Sequence, residues 1–279
     1  MYPTFMNQSE VIKYFKDAKG IAGWFSSHDA FMFHVLLSMQ SLDKVDGDLL
    51  EIGVFEGKSS VLLGRHLKKN EEFHACDIFS ELTDSKNAEE IRLSYPNLSR
   101  KIFESNMLQT LGHLPEIHQC PSSQLQSKLG NRKFRFIHID GSHLYVHVKL
   151  DLDYAAEAIA IEKGIIAVDD FRTQHAIGVT AAVWEKIIAG RLTPFAITPA
   201  KIYLSKPNWT IDTEKLASAL EELGIQSVIE EFLGFKVLRT IGLSDEELYS
   251  KKSKITSLIP PILANLIRNS YLWKRFRNL

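Results

Sequence analysis

Cysteine is scarce: Cys76 and Cys120 are the only two in 279 residues. A disulfide framework or a cysteine zinc site is therefore not expected, and both residues lie in apolar, strand-like runs that suit a reducing compartment. A surplus of either charge is also missing, with Lys+Arg at 33 against Asp+Glu at 34. Binding along a nucleic-acid backbone needs a basic excess, so nucleic acid is not an expected partner. No apolar run approaches the roughly 20 residues that cross a bilayer. The first residues lack a charged stretch leading into an apolar core, so no secretion signal is expected and a cytoplasmic location is. Internal repeats and low-complexity linkers are absent too.

What is there reads as a globular α/β chain, 45% hydrophobic and 24% charged. Residues 8–19 and 28–42 have helical spacing, and 1–45 is expected to form an N-terminal helical cap. From residue 46 to 240, short apolar runs alternate with helical patterns. Strands are expected at 48–54, 72–78, 116–120, 134–139, 164–168, 195–197, 201–204 and 232–237. Helices are expected at 58–69, 87–94, 100–111, 146–161 and 178–189. The alternation predicts a Rossmann-like, doubly wound, mostly parallel sheet with helices on both faces. Ligands on such sheets bind at the carboxyl ends of the strands.

Residues 241–279 form a basic tail. After Glu247 it has no acidic residue but carries Lys251, Lys252, Lys254, Arg268, Lys274, Arg275 and Arg277. Pro260-Pro261 divides it, and 262–279 is amphipathic. One reading is a C-terminal helix packed on the domain. The other is a peripheral contact with anionic lipid or a protein partner.

The run Glu51-Ile-Gly53-Val-Phe55-Glu-Gly57-Lys58 follows the first strand and opens a helix. Glycines there permit unusual dihedrals and a close ligand approach. Phe55 and Lys58 stand where a dinucleotide fingerprint needs its second and third glycines, which disfavours a pyrophosphate-bearing cofactor. S-adenosylmethionine has no phosphate and tolerates a side chain there, and Glu51 is a candidate to balance charge near its ammonium. Asp77, at the end of the second strand, has the spacing of about 20 residues at which an acid accepts from ribose hydroxyls. Its alternative is a cap or turn residue.

Two further strands end in acids, Ile137-His-Ile-Asp140 and Ile166-Ala-Val-Asp169-Asp170. Parallel neighbours would bring these carboxylates together, and oxygen donors of that kind suit Mg²⁺, Mn²⁺ or Ca²⁺. The competing reading makes each an ordinary turn or cap residue. His143, three residues past Asp140, is a candidate general base beside the same pocket, or a bystander. His138, inside the strand, is expected to be structural.

These segments together resemble class I S-adenosylmethionine-dependent O-methyltransferases, in particular the bacterial group that includes macrolide-sugar O-methyltransferases. The resemblance spans about residues 20–205. It rests on GWFSSHDAFMF (23–33), LLEIGVFEGKSS (49–60), ACDIF (75–79), HQCPSSQL (118–125), FIHIDGSHLYVHVKLDLDYA (136–155) and GIIAVDDF (164–171). It implies that Glu51, Gly53, Gly57, Asp77, Ser122, Ser123 and Asp140 contact the cofactor, with the two serines near the adenine. It also implies that Asp140, Asp169 and Asp170 hold a divalent metal, Mg²⁺ by preference, and that His143 is the catalytic base. Phe55 departs from the glycine common in the wider class, and residues 118–120 replace a segment that often contains glycine.

The expected activity is methyl transfer to a hydroxyl of a small molecule or sugar. A metal-independent methyltransferase and a catalytically silent binding protein of the same fold are the rivals. Homo-oligomerisation is left open by the sequence.

Overall fold

The strands alternate faces with a period of two, and in the centre of the sheet both faces are apolar. Leu49, Phe136, Ile165 and Ala167 point to one side, while Leu50, Ile52, Ile137, Ile139, Ile166 and Val168 point to the other. Such strands are stable only when covered twice, and helices cover both sides. The computed structural model describes residues 8–79, 98–160 and 162–241.

In chain order, α1 (Gln8–Asp17) and α2 (Ser27–Leu42) precede β1 (Asp48–Ile52), α3 (Lys58–Arg65) and β2 (Phe73–Asp77). Then come α4 (Arg100–Leu111), β3 (Glu116–Gln119), α5 (Leu125–Leu129), β4 (Phe134–Ile139), α6 (Tyr145–Ala158) and β5 (Ile165–Val168). The remainder is α7 (Ile177–Ile188), β6 (Thr193–Ile197), β7 (Ile202–Ser205), α8 (Thr213–Glu222), β8 (Ser227–Phe232) and β9 (Phe235–Thr240). Helices α1, α2, α3, α4 and α8 share one core, which includes Tyr14, Phe33, Leu36, Val61, Phe103 and Leu216. Helices α5, α6 and α7 share the other through Leu125, Val148, Leu152 and Val183.

One nine-stranded sheet runs in the order β3-β2-β1-β4-β5-β7-β6-β9-β8. Strands β1 to β5 pair in parallel, β7 runs antiparallel to both β5 and β6, and β6 is parallel to β9. The expected Rossmann-like, mostly parallel architecture is therefore present. Strand order reverses between β1 and β4. Open α/β sheets bind ligands at such a switch point, outside the carboxyl ends of the strands.

The sequence pattern misreads one region. The strand expected at 232–237 straddles a hairpin: Phe232 ends β8, residues 235–237 begin β9, and Leu233 and Gly234 turn between them with φ of 50° and 79°. Paired positive φ values suit the twist of a two-residue hairpin turn. Helix α8 was not apparent from spacing either; Asp212 caps it by accepting from the backbone N–H of Glu214 and Lys215. The helix expected at 87–94 and the basic tail lie outside the described residues.

Candidate active site

The switch point is built by two loops in direct contact. Gly53 leaves β1 with φ of 84°, and a Cβ on it would lie 2.0 Å from the carbonyl oxygen of Asp140, just past β4. The Asp140 N–H donates to the carbonyl of Ile52 at 2.7 Å. Gly53 is thus required for the approach of two loops, and only glycine fits. Gly57, at φ of 89°, precedes α3, and its missing Cβ leaves room for Met107 and Phe103 of α4.

Asp77 is turned toward the glycine loop. Its Oδ2 accepts from the N–H groups of Val54 and Phe55 at 2.8 and 3.0 Å, and Oδ1 accepts from Phe79 N–H at 2.7 Å. This is the capping role; any ribose contact would use the remaining lone pairs. Burial raises its pKa, and these three amide bonds oppose that rise.

Glu51, expected near a cofactor ammonium, is fully buried and bonded within the protein. Its oxygens accept from the hydroxyls of Ser59 (2.5 Å) and Ser60, and Oε1 lies 2.7 Å from His138 Nδ1. The cause is register: Glu51 and His138 are paired neighbours on β1 and β4 and share the face covered by α2 and α3. Glu51 is a strut between the sheet and the start of α3. Ser122 and Ser123 begin a turn after β3, where the Ser122 hydroxyl bonds the buried Asp151 of α6 and Ser123 is exposed.

The acidic edge divides into two pairs. Asp170 turns away from the strand axis, with φ of 57°, and its Oδ2 lies 2.8 Å from His143 Nε2. Asp140 and Asp169 stay close to each other and to His138, whose buried Nε2 has no hydrogen-bond partner among the described residues and lies 3.8 Å from Asp140 Oδ2. A small cleft lined by Asp140, His143, Asp169 and Asp170 joins the two pairs.

A residue that sequence reasoning missed completes the second pair. Lys201 sits in the turn from β6 into β7, fully buried, with Nζ 2.5 Å from Asp169 Oδ2 and 3.8 Å from Asp140 Oδ2. Phe25 places its ring 5.5 Å from the same ammonium. Burial works against the Lys201 charge, yet Asp169 and Asp140 hold its pKa above the usual lysine range. Burial likewise opposes ionisation of Asp169, and the Lys201 charge nevertheless holds it below the usual carboxylate range. Asp140 shifts well upward through burial and the charge of Asp169. His138 is pushed down by burial and by Lys201, so it is neutral near pH 7. The only sequence signal for Lys201 is a cation at the head of an apolar strand.

The three acids line one cleft, but their tightest groupings differ: Asp140 and Asp169 gather with His138, and Asp170 with His143 and His175. Asp170 is committed to His143, and an ammonium already neutralises Asp169. A divalent ion needs carboxylate oxygens at about 2.0–2.6 Å. An ion bridging Asp140 and Asp169 would crowd the Lys201 ammonium.

Residues 50–171 match the family described as a methyltransferase domain. The match runs from within β1 to just past β5, hence over the glycine loop, Asp77, Asp140, His143, Asp169 and Asp170. The resemblance to methyltransferases read from the sequence agrees with this match over the segment. No curated protein matches. Among solved structures, the chain is similar to the O-methyltransferase NovP, at 15% identity and a TM-score of 0.49, covering 63% of this chain and 78% of that one. It is also similar to the calicheamicin methyltransferase CalS11 (13%, TM-score 0.47, covering 73% and 94%). A third is an O-methyltransferase from Bacillus cereus in complex with SAH (17%, TM-score 0.48, covering 73% and 91%). Similarity at this level carries no argument about chemistry or acceptor.

Proposed function

We propose that the methyltransferase domain moves a methyl group from S-adenosylmethionine to a hydroxyl oxygen of a small molecule or sugar, with His143 as the base. One observation carries this reading: the glycine loop and the His143–Asp170 pair meet at the same switch point. The cofactor supplies an activated methyl group on a sulfonium. The domain's part is to align the acceptor and to move one proton. With its Nε2 held toward Asp170, the His143 imidazole takes the hydroxyl proton. The oxygen lone pair then forms the new C–O bond as the C–S bond breaks, leaving a neutral thioether. Asp170 orients the imidazole and stabilises its charged form, as a carboxylate beside a catalytic histidine does.

The resemblance assigns Asp77 to the ribose and Ser122 and Ser123 to the adenine of the cofactor. The acceptor class rests on the resemblance, and so does the preference for oxygen. Calorimetry with S-adenosylmethionine, followed by methyl transfer to a panel of sugars and phenolic diols, tests the reading. His143→Ala should lower kcat by about 10²–10⁴-fold, the usual range for a general base, with cofactor affinity unchanged. Absence of cofactor binding at millimolar concentration would remove the catalytic reading and favour a silent binding protein of this fold.

A further inference from the structure

We infer that Lys201 is the resident cation of this site: its ammonium takes the place of a divalent metal between Asp140 and Asp169, so the chain neither binds nor needs one there. The inference rests on the methyltransferase reading for its consequence, but its physical content is independent of activity.

A bare ammonium withdrawn fully from water is costly unless paired. Here the pairing is supplied by the two carboxylates that a metal would have used, at 2.5 and 3.8 Å. Lys201 also reaches the site by a defined route. Its N–H donates to Thr198 Oγ1 at 3.0 Å, its carbonyl accepts from Thr198 N–H, and the preceding Ala200 carbonyl accepts from Phe171 N–H. These bonds fix the β6–β7 turn against the end of β5, with Lys201 alongside Asp169. Phe25 closes the other side. The third carboxylate that would complete a metal set is the one that orients His143. An internal lysine delivers one positive charge that cannot dissociate. Lys201 has no surface of its own in the cleft, so it acts as a positioning residue: it fixes the Asp140–Asp169 edge against which an acceptor rests.

Removing the ammonium should expose what it replaces. Asp140, Asp169 and the unpartnered Nε2 of His138 would then form an oxygen-and-imidazole donor set. Mn²⁺ binding, followed by electron paramagnetic resonance and calorimetry, is measured on the intact chain, on Lys201→Ala and on Lys201→Gln, with circular dichroism to verify folding. The expected result is no Mn²⁺ binding by the intact chain up to millimolar concentration, and a gain of at least tenfold in affinity in a folded variant. Stoichiometric Mn²⁺ binding by the intact chain, lost in Asp169→Asn, would overturn the inference. So would folded variants that gain no binding. If neither variant folds, the intact-chain titration decides by itself. Methyl transfer with and without chelator separates the two readings: cofactor binding with chelator-sensitive turnover sinks the lysine and spares the methyltransferase. Absent cofactor binding does the reverse, since the Mn²⁺ result still stands.

Discussion

Two buried ionisable side chains near the cleft resolve the cost of burial in opposite ways. Lys201 keeps its charge by pairing, as described above. Among the described residues no cation acts on Asp151 of α6: burial pushes its pKa up to about 7, and a hydrogen bond from Ser122 only partly offsets this. A raised folded pKa means that the native state holds its proton to higher pH than the unfolded chain. The stabilisation is complete below about pH 4 and is lost as pH rises toward 7, by about 1.4 kcal/mol per pH unit. Asp151→Asn keeps a hydrogen-bonding side chain and removes the titration. The variant should therefore gain on the parent as pH rises from 5 to 7, read from urea midpoints at each pH; a difference independent of pH would contradict the assignment. Asp151 was invisible in the sequence because it lies among the alternating polar and apolar residues of α6, where an acid is ordinary. His143 and the three strand-end acids were legible because acids at the tips of apolar strands stand out. Their pairing was not legible, since Asp170 and His143 meet only through a positive φ that no spacing rule reveals.

The glycine loop shows the same division among elements. Its position after β1 followed from an apolar run ending in glycine, and β1, β4 and β5 were readable for that reason. The purpose of Gly53 was not: the missing side chain makes room for the neighbouring strand's loop rather than for a ligand alone. Gly53→Ala sets a Cβ against backbone that cannot move aside, at a dihedral that L-residues rarely adopt. The expected outcome is a loss of several kcal/mol, on the order of a severe core defect, together with loss of cofactor binding. Gly57→Ala should cost less, because Met107 Cε, at 2.6 Å from the built Cβ, ends a flexible side chain. Thermal melts of both variants rank them; a milder effect at Gly53 than at Gly57 would be inconsistent with the geometry. The hairpin β8–β9 escaped reading because apolar residues on both sides of Leu233-Gly234 concealed the turn.

At the scale of the whole molecule, the N-terminal helices belong to the domain's core rather than lying over it. Asp29, in the first turn of α2, is fully buried and accepts from the hydroxyls of Thr198 (2.5 Å) and Tyr203 (2.9 Å), tying α2 to the β6–β7 turn. Burial and Asp29 both raise the Tyr203 pKa, so its hydroxyl stays a donor throughout the working range. Asp29→Ala removes the acceptor shared by these hydroxyls, leaving Thr198 its bonds to Lys201 but Tyr203 without this one, and should cost about 1–3 kcal/mol, seen as a lower denaturant midpoint with an unchanged m-value. A shift within experimental scatter would show that the tie is dispensable. The sequence showed α2 as a helix but gave no hint of this bond, whose partners lie 169 and 174 residues away.

Strand order has a consequence for how the molecule comes into being. Both neighbours of β6 in the sheet, β7 and β9, are made after it. While a chain is growing, β6 has nowhere to dock until β7 emerges and slots in beside β5. The same residues bring Lys201 to the waiting acids, so charge balance in the cleft arrives with closure of the sheet. A fragment trimmed to the family-matching span would end before either event, carrying an open β5 edge and an uncompensated Asp169.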